Sequence, residues 1–242
     1  MSRESEALQA LSNVVDPELD EPITDLGFVH SLGISVGGDV EVHLRLPTSF
    51  CSPNFAYLMA SDAKDALTEL DWTRNVVVEL DDHHDSPLIN AGLAADAGYR
   101  GTFGHEALDS LDELRTTFHR KAHTAAMERC LTALVRAGRA ETSLGAVTLA
   151  DLPPERTTES LLRRRKAVGL STEPNDLVLV DHTGHQDDDV VLALRRARST
   201  RISIDGNAHF CRGLLKTRYD SPVRPSAEHT LIPLTSLQGA SS

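Results

Sequence analysis

The sequence predicts an α+β protein: a small N-terminal domain with the element order α-β-β-α-β, then a mixed α/β, mainly helical C-terminal domain. Three observations support this class. Helical and alternating apolar patterns follow one another in that order before residue 82, helical patterns dominate after residue 104, and the 242 residues suit two small domains. Charge divides the chain in the same way, because residues 1–100 carry 18 Asp and Glu against 5 Lys and Arg.

The first elements of the N-terminal domain are a helix and a hairpin. A short apolar stripe from Ala7 to Val15 predicts a helix, which ends at Asp16 because a residue that precedes proline disfavours the α conformation. Two apolar segments, 28–36 and 40–46, flank a glycine-rich turn, and this pattern is typical of a β-hairpin.

The remaining elements of this domain are a helix and a strand. A helix is expected from Pro53 to Leu70, since proline suits a first helical turn, and the β-branched segment 75–80 predicts a third strand. The predicted organisation is a domain over 1–82, a polar, Gly-rich linker over 83–104, a C-terminal domain over 105–230 and a tail over 231–242.

Fewer elements are legible in the C-terminal domain. A long helix or a helix pair is predicted over 105–138, with Gly138 as its stop. Segments 177–180 and 201–204 are expected to be parallel strands of a βαβ unit, followed by a terminal helix over 208–218.

Composition excludes several functional classes. The acidic first half disfavours nucleic acid and anionic lipid as partners, because phosphate binding needs clustered cations. No apolar run is long enough for a transmembrane helix, and the polar N-terminus lacks the pattern of a secretory signal. Three widely separated cysteines fit a reducing, cytoplasmic protein without a disulfide framework.

A set of motifs in the first third resembles a known family. VVDPELDEPITDLGFVHSLGI, a Gly-Gly-Asp hairpin and LPTSFCSP before a helix are similar to the MIP18-like domain, also called the domain of unknown function 59, over roughly residues 5–80. That family includes SufT- and PaaD-type proteins, which assist the maturation of iron–sulfur and metal centres. The resemblance implies that the site residues are Asp16, Glu18, Thr48 and Cys51, with Asp25 and Gly27 in the shaping loop. One departure is Ser52, which stands directly after the cysteine where the family usually has proline.

Cys51 is the residue on which this chemistry depends. A thiol just before a helix N-terminus faces unpaired N–H groups and the positive end of the helix dipole, so we expect it to be more reactive than a free cysteine. With Asp16 and Glu18 it forms a plausible transient ligand set for iron or an iron–sulfur cluster. A cluster normally needs about four protein ligands, so the remainder would come from a homodimer or another partner. The alternative is that Cys51 is a buried, inert side chain and Asp16 only caps a loop.

The C-terminal domain offers two further sets of candidate metal ligands. His119 and His123 are spaced i, i+4 on the predicted helix, and His182, His185 and Asp187 lie at the end of a predicted strand. The alternatives are ordinary surface or core histidines and an acidic helix N-terminus. His209 and Cys211 could add ligands or simply pack in the terminal helix.

These observations lead to one main hypothesis and two alternatives. We expect an accessory factor for metallocentre assembly rather than a turnover enzyme, acting on a client metalloenzyme such as a multicomponent oxygenase or on the assembly machinery. The first alternative is a metal-dependent enzyme that uses His182, His185 and Asp187 with a bound water. The second is a non-catalytic scaffold or chaperone subunit of an oxygenase.

Overall fold

The N-terminal sheet has the predicted hairpin and a third, parallel strand. The computed structural model describes residues 2–104 and 111–219. Strand β3 (Val29–Ile34) pairs antiparallel with β4 (Asp39–Arg45), and β4 pairs parallel with β5 (Asn75–Asp81). The hairpin turn requires glycine at position 38, where φ is +93° and an added Cβ would lie 2.4 Å from the Trp72 carbonyl oxygen.

Two helices cover one face of this sheet. Helix α1 (Arg3–Leu11) precedes a short antiparallel pair, β1 (Val15–Asp16) and β2 (Glu21–Pro22), and α2 (Pro53–Thr68) follows the hairpin. The predicted α+β class and the α-β-β-α-β order are therefore confirmed, with the β1–β2 pair as an addition. The core between sheet and helices includes Ala7, Leu11, Phe28, Val42, Leu44, Ala60, Leu67, Val78 and Leu80.

Two more helices pack on the same core. The sequence predicts a linker over 83–104, but the structure has α3 (Ser86–Ala94) and α4 (Gly98–Phe103) there. Glycines and acidic residues interrupt the apolar pattern of this stretch, so the sequence does not indicate the two helices. The buried residues that these helices add to the first core are Ile89, Leu93 and Phe103.

A second core lies between the remaining helices. Helix α5 (Leu111–Arg136), α6 (Arg156–Ala167) and α7 (Val190–Tyr219) surround two short 3₁₀ segments, Glu141–Ala146 and Leu149–Asp151. The main buried residues of this core are Met127, Leu131, Leu144, Leu161, Val178 and Leu194. Among the described residues, no helix combines the length and the apolar composition that crossing a bilayer requires.

The long helix predicted over 105–138 agrees with α5 where the structure describes it. Residues 105–110 lie outside the described residues, as does the tail predicted over 231–242. Gly138 follows the helix with φ of +99°, as expected of a glycine that ends a helix.

The predicted βαβ unit is wrong. Leu177 makes only an isolated antiparallel bridge with Thr148, and the buried run 177–180 forms no strand. Its backbone groups form hydrogen bonds outside a sheet: Arg165 Nη1 donates to the Leu177 carbonyl at 2.9 Å, and the Val178 N–H donates to a loop carbonyl. A buried apolar run can thus look like a strand without joining a sheet.

The second predicted strand, 201–204, lies inside α7. Its four residues alternate between polar and apolar, but the buried residues Leu194, Ala197, Ile204 and Ala208 follow helical spacing through the segment. The terminal helix predicted over 208–218 is the last part of this 30-residue helix.

Helix α7 contributes to both cores. At about 45 Å long, it places Leu194 and Ala197 in the second core and Ala208 in the first. Cys211 and Leu215 are partly buried and pack against the first core as well. This helix therefore lies against the loops that precede β3 and α2.

The packing of α3 on α4 gives a test of the first core. A Cβ added at Gly92 would lie 2.1 Å from Thr102 Oγ1 and 2.8 Å from Thr102 Cβ, so Gly92→Ala should lower the free energy of unfolding by about 1–3 kcal/mol. Gly206→Ala is the matched control: α7 has open space at that position, and alanine should stabilise the helix by up to ~1 kcal/mol. Urea unfolding measures both, and equal stability of Gly92→Ala and wild type would contradict this packing.

Candidate functional site

Asp16 is a buried carboxylate at the start of the β1–β2 loop. Its side chain is 7% exposed, and Oδ1 accepts the backbone N–H groups of Glu18 and Leu19, both at 2.9 Å. Burial raises the pKa of Asp16 to about 6, although these two hydrogen bonds act in the opposite direction. The loop therefore holds a carboxylate whose charge is only partly compensated, while the Glu18 side chain is exposed beside it.

Cys51 lies in the loop that leads into α2. Its side chain is half-buried, and its Sγ is 3.6 Å from Thr48 Oγ1. Because Thr48 Oγ1 already accepts the Phe50 N–H at 3.2 Å, its hydroxyl hydrogen is available to the sulfur. Helix α2 begins at Pro53, so Ser52 in place of the usual proline leaves the predicted helix start unchanged.

His83 supports the Cys51 loop from the segment after β5. Its Nδ1 accepts the Asp85 N–H at 3.1 Å, so the ring proton lies on Nε2, which donates to the Cys51 carbonyl at 2.8 Å. The neighbouring His84 N–H donates to the Ser49 carbonyl at 2.8 Å. His83 is 6% exposed and is a positioning residue that the sequence analysis placed in a linker. The only signal for it in the sequence is the DDHHD cluster.

Helix α7 contacts the β1–β2 segment that contains Asp16. Asn207 Nδ2 donates to Glu18 Oε1 at 3.2 Å, and Arg212 forms an ion pair with Glu21. Burial raises the pKa of the Cys211 thiol to about 11, and the charges of Asp16, Cys51 and Glu18 add to the rise. Cys211 packs against the first core, in agreement with the alternative that it is a packing residue of the terminal helix rather than a further ligand of the C-terminal domain.

The candidate histidines of the C-terminal domain lie around two cavities. His119 and His182 line one of about 350 Å³, and His185 and Asp187 line another of about 290 Å³. Among residues 2–104 and 111–219, no group of three His, Cys, Asp or Glu side chains is placed to hold a metal ion. Neither the set His182, His185 and Asp187 nor the set Cys51, Asp16 and Glu18 forms such a group, although the sequence suggested both as ligands.

The acidic residues before α7 bind other groups of the same chain. Asp187 pairs with Arg196 at 3.3 Å, and Asp189 Oδ1 accepts the Leu192 N–H at 3.0 Å at the start of the helix. This arrangement agrees with the alternative that the acidic run stabilises a helix N-terminus.

His123 is fully buried in α5. It is 0% exposed, and neither ring nitrogen has a hydrogen-bond partner among the described residues. Burial, with a smaller contribution from the positive charge of Arg165, lowers the pKa of His123 to about 4. The side chain is therefore a neutral ring whose nitrogens have no hydrogen-bond partner among the described residues.

Comparisons with known proteins find similarity in the N-terminal region. The fold and the loops define a small α+β domain with a half-buried thiol, Cys51, in the loop before α2. Residues 4–80 match the family model described as iron-sulfur cluster assembly protein, in agreement with the resemblance of the N-terminal region to the MIP18-like domain. The family match covers that region only.

Two curated relatives resemble the same region. An iron-sulfur cluster carrier protein of Mycobacterium leprae is 39% identical over 72 residues, which are 30% of this chain and 18% of the relative. The chloroplastic Fe-S cluster assembly factor HCF101 of Arabidopsis thaliana is 30% identical over 91 residues, 37% of this chain and 17% of the relative. The matches thus span less than a fifth of each relative's length, and no solved structure matches the chain.

Because the pKa of Asp16 is raised, neutralising its charge should stabilise the native state, and the size of this effect should depend on pH. The folded pKa of about 6 lies above the ordinary value of 3.8, so the native state gains stability as the pH falls through 6 towards 4. Asp16→Asn keeps an acceptor for the two N–H groups and removes the charge. We expect it to stabilise the protein by up to roughly 2–3 kcal/mol at pH 7.5 and by little at pH 4.

Urea unfolding at both pH values measures this effect. Asp25→Asn, at an exposed position in the neighbouring loop, is the control and should change stability by no more than about 0.5 kcal/mol. An Asp16→Asn variant that is less stable than wild type at pH 7.5 would refute this account of the loop.

His123 predicts the opposite pH dependence. Its folded pKa of about 4 lies below the ordinary 6.5, so stability is lost as the pH falls from 6.5 towards 4. His123→Leu should remove up to about 3 kcal/mol of this loss, as measured by urea unfolding at pH 7 and pH 4.5. His123→Gln also removes the titration but leaves polar atoms without partners, so it should be less stable than His123→Leu at both pH values. Equal acid sensitivity in all three proteins would show that His123 is not buried as described.

Proposed function

We propose that the protein is an accessory factor that assembles or carries an iron–sulfur cluster, or iron for a cluster, and delivers it to a client metalloenzyme. The observation that carries the proposal is the half-buried Cys51 thiol, contacted by Thr48, in the region that matches the assembly family. The names of the two relatives, a cluster carrier and a cluster assembly factor, support the same role.

The donor set suits iron as a cargo. A thiolate is a soft ligand that binds iron and iron–sulfur clusters, and the half-buried Cys51 is held in a loop that Thr48 and His83 fix in place. Asp16 and Glu18 add negative charge that attracts a cation. Removal of Asp16 from water makes that charge costly in the free protein, and a bound cation would offset the cost.

The same donor set favours transfer over permanent storage. A stably held cluster usually needs about four protein ligands, whereas the N-terminal domain supplies a single cysteine. A cargo with unfilled coordination positions can accept ligands from a client, which then removes it. The excess of acidic residues in the first 100 positions would help docking on a basic client surface.

Anaerobic reconstitution with Fe²⁺ and sulfide tests the proposal. Wild-type protein should bind iron and pass it to an apo-ferredoxin, and Cys51→Ser should lower the affinity at least about tenfold, or 1.4 kcal/mol. Iron and sulfide analysis, absorbance and native mass measure binding, and recovery of the ferredoxin spectrum measures transfer. Cys130→Ala is the matched control, since that cysteine is 2% exposed in the second core.

The same experiment distinguishes the proposal from the two alternative hypotheses. Loss of iron in His182→Ala but not in Cys51→Ser would overturn the proposal in favour of a metal site in the C-terminal domain. Absence of any iron binding would overturn it in favour of a scaffold. The oxygenase client stays a prediction, which a pull-down with the wild-type protein from the native cell extract would check.

A further inference from the structure

Helix α7 carries a second partly buried thiol, Cys211, on the face that contacts the N-terminal loops. Asn207, Cys211 and Leu215 are spaced i, i+4, i+8 and so lie on one stripe of the helix. Asn207 donates to Glu18, and Leu215 Cδ2 is 3.4 Å from where a Cβ at Gly27 would be. Cys211 is therefore flanked on both sides along the helix by residues that contact the β1–β2 loop and the turn before β3.

The C-terminal end of α7 is anchored to the Cys51 loop itself. Arg218 Nη2 donates to Ser49 Oγ and to the Asp82 carbonyl, both at 2.7 Å, and its Nη1 donates to the Leu46 carbonyl at 3.2 Å. These contacts hold the stripe that carries Cys211 against the segment that carries Cys51. Both thiols are half-buried, and both pack at the edge of the first core.

Cys211 lies on the face of α7 that meets acidic groups of the N-terminal loops. Its side chain interacts electrostatically with Asp16, Cys51 and Glu18, all of which are acidic or acquire negative charge on ionisation. Among the described residues, no hydrogen bond holds its sulfur. An apolar residue would suit the packing role of this position better, because it would avoid a thiol next to two carboxylates.

We propose that Cys211 is the second thiolate ligand of the site, so that this chain supplies two sulfur atoms to the iron or cluster that it carries. The inference rests on the proposed function, whose ligand set it completes from the C-terminal half. Each thiol that binds as thiolate releases its proton to solvent. Because the described residues offer no group of three metal ligands, the remaining coordination positions are left to the client.

Cobalt provides a spectroscopic count of the thiolates. Full-length protein is titrated anaerobically with Co²⁺ alone, and the sulfur-to-cobalt charge-transfer absorbance per bound ion is measured. Cys51→Ser and Cys211→Ser should each lower this absorbance to about half, and the double variant should abolish it. Cys130→Ala is the control and should match wild type.

The possible outcomes distinguish this inference from the proposed function. If Cys51→Ser lowers the absorbance and Cys211→Ser does not, the second ligand is refuted and the proposed function stands. If neither variant lowers it, both are refuted. Far-UV circular dichroism of each variant shows whether it is folded.

A second measurement needs no variant. Wild-type protein is treated with iodoacetamide with and without saturating Co²⁺, and labelling at each cysteine is followed by peptide mass spectrometry. Bound metal should slow labelling at Cys51 and Cys211 together, by about tenfold or more if both sulfurs are ligands. Labelling of Cys211 at the same rate with and without cobalt would overturn the inference.

Discussion

The burial of α7 against two separate cores is the constraint on which the arrangement of this protein depends. Leu194 and Ala197 remove apolar surface from water in the second core, and Ala208 does so in the first. A single continuous helix thereby fixes the position of the C-terminal half relative to the Cys51 loop. The polar contacts of Asn207, Arg212 and Arg218 then set which face of the helix meets the loop.

At the candidate site, Asp16 carries a buried charge that lowers the stability of the native state. Asp16 satisfies two backbone N–H groups, a task that an amide could perform without a charge, yet the residue is a carboxylate that burial makes costly. Groups with raised or lowered pKa values often mark functional sites. His123 shows why this rule needs geometry beside it, because its lowered pKa arises in a packed helix face without a neighbouring set of ligands.

Local patterns predicted the N-terminal domain well, and tertiary packing decided what they missed. Alternation marked the hairpin and β5, and proline marked the start of α2 at Pro53, because these signals depend on neighbours in sequence. The segment 201–204 alternates in the same way, yet it is helical since its burial partners are spread along α7. For the candidate site, motifs indicated Cys51 and Asp16, and their role stays a prediction. No local pattern indicates that Cys211, 160 positions after Cys51, packs against the same core.

The continuity of α7 also determines how the molecule comes apart. Because α7 packs in both cores, it cannot leave one core without disturbing the other. Unfolding of the two halves should therefore be coupled rather than sequential. Separation of the first half by proteolysis or truncation would leave an uncovered apolar strip where Ala208 and Leu215 now lie. The region that matches the assembly family and the C-terminal half thus share one helix.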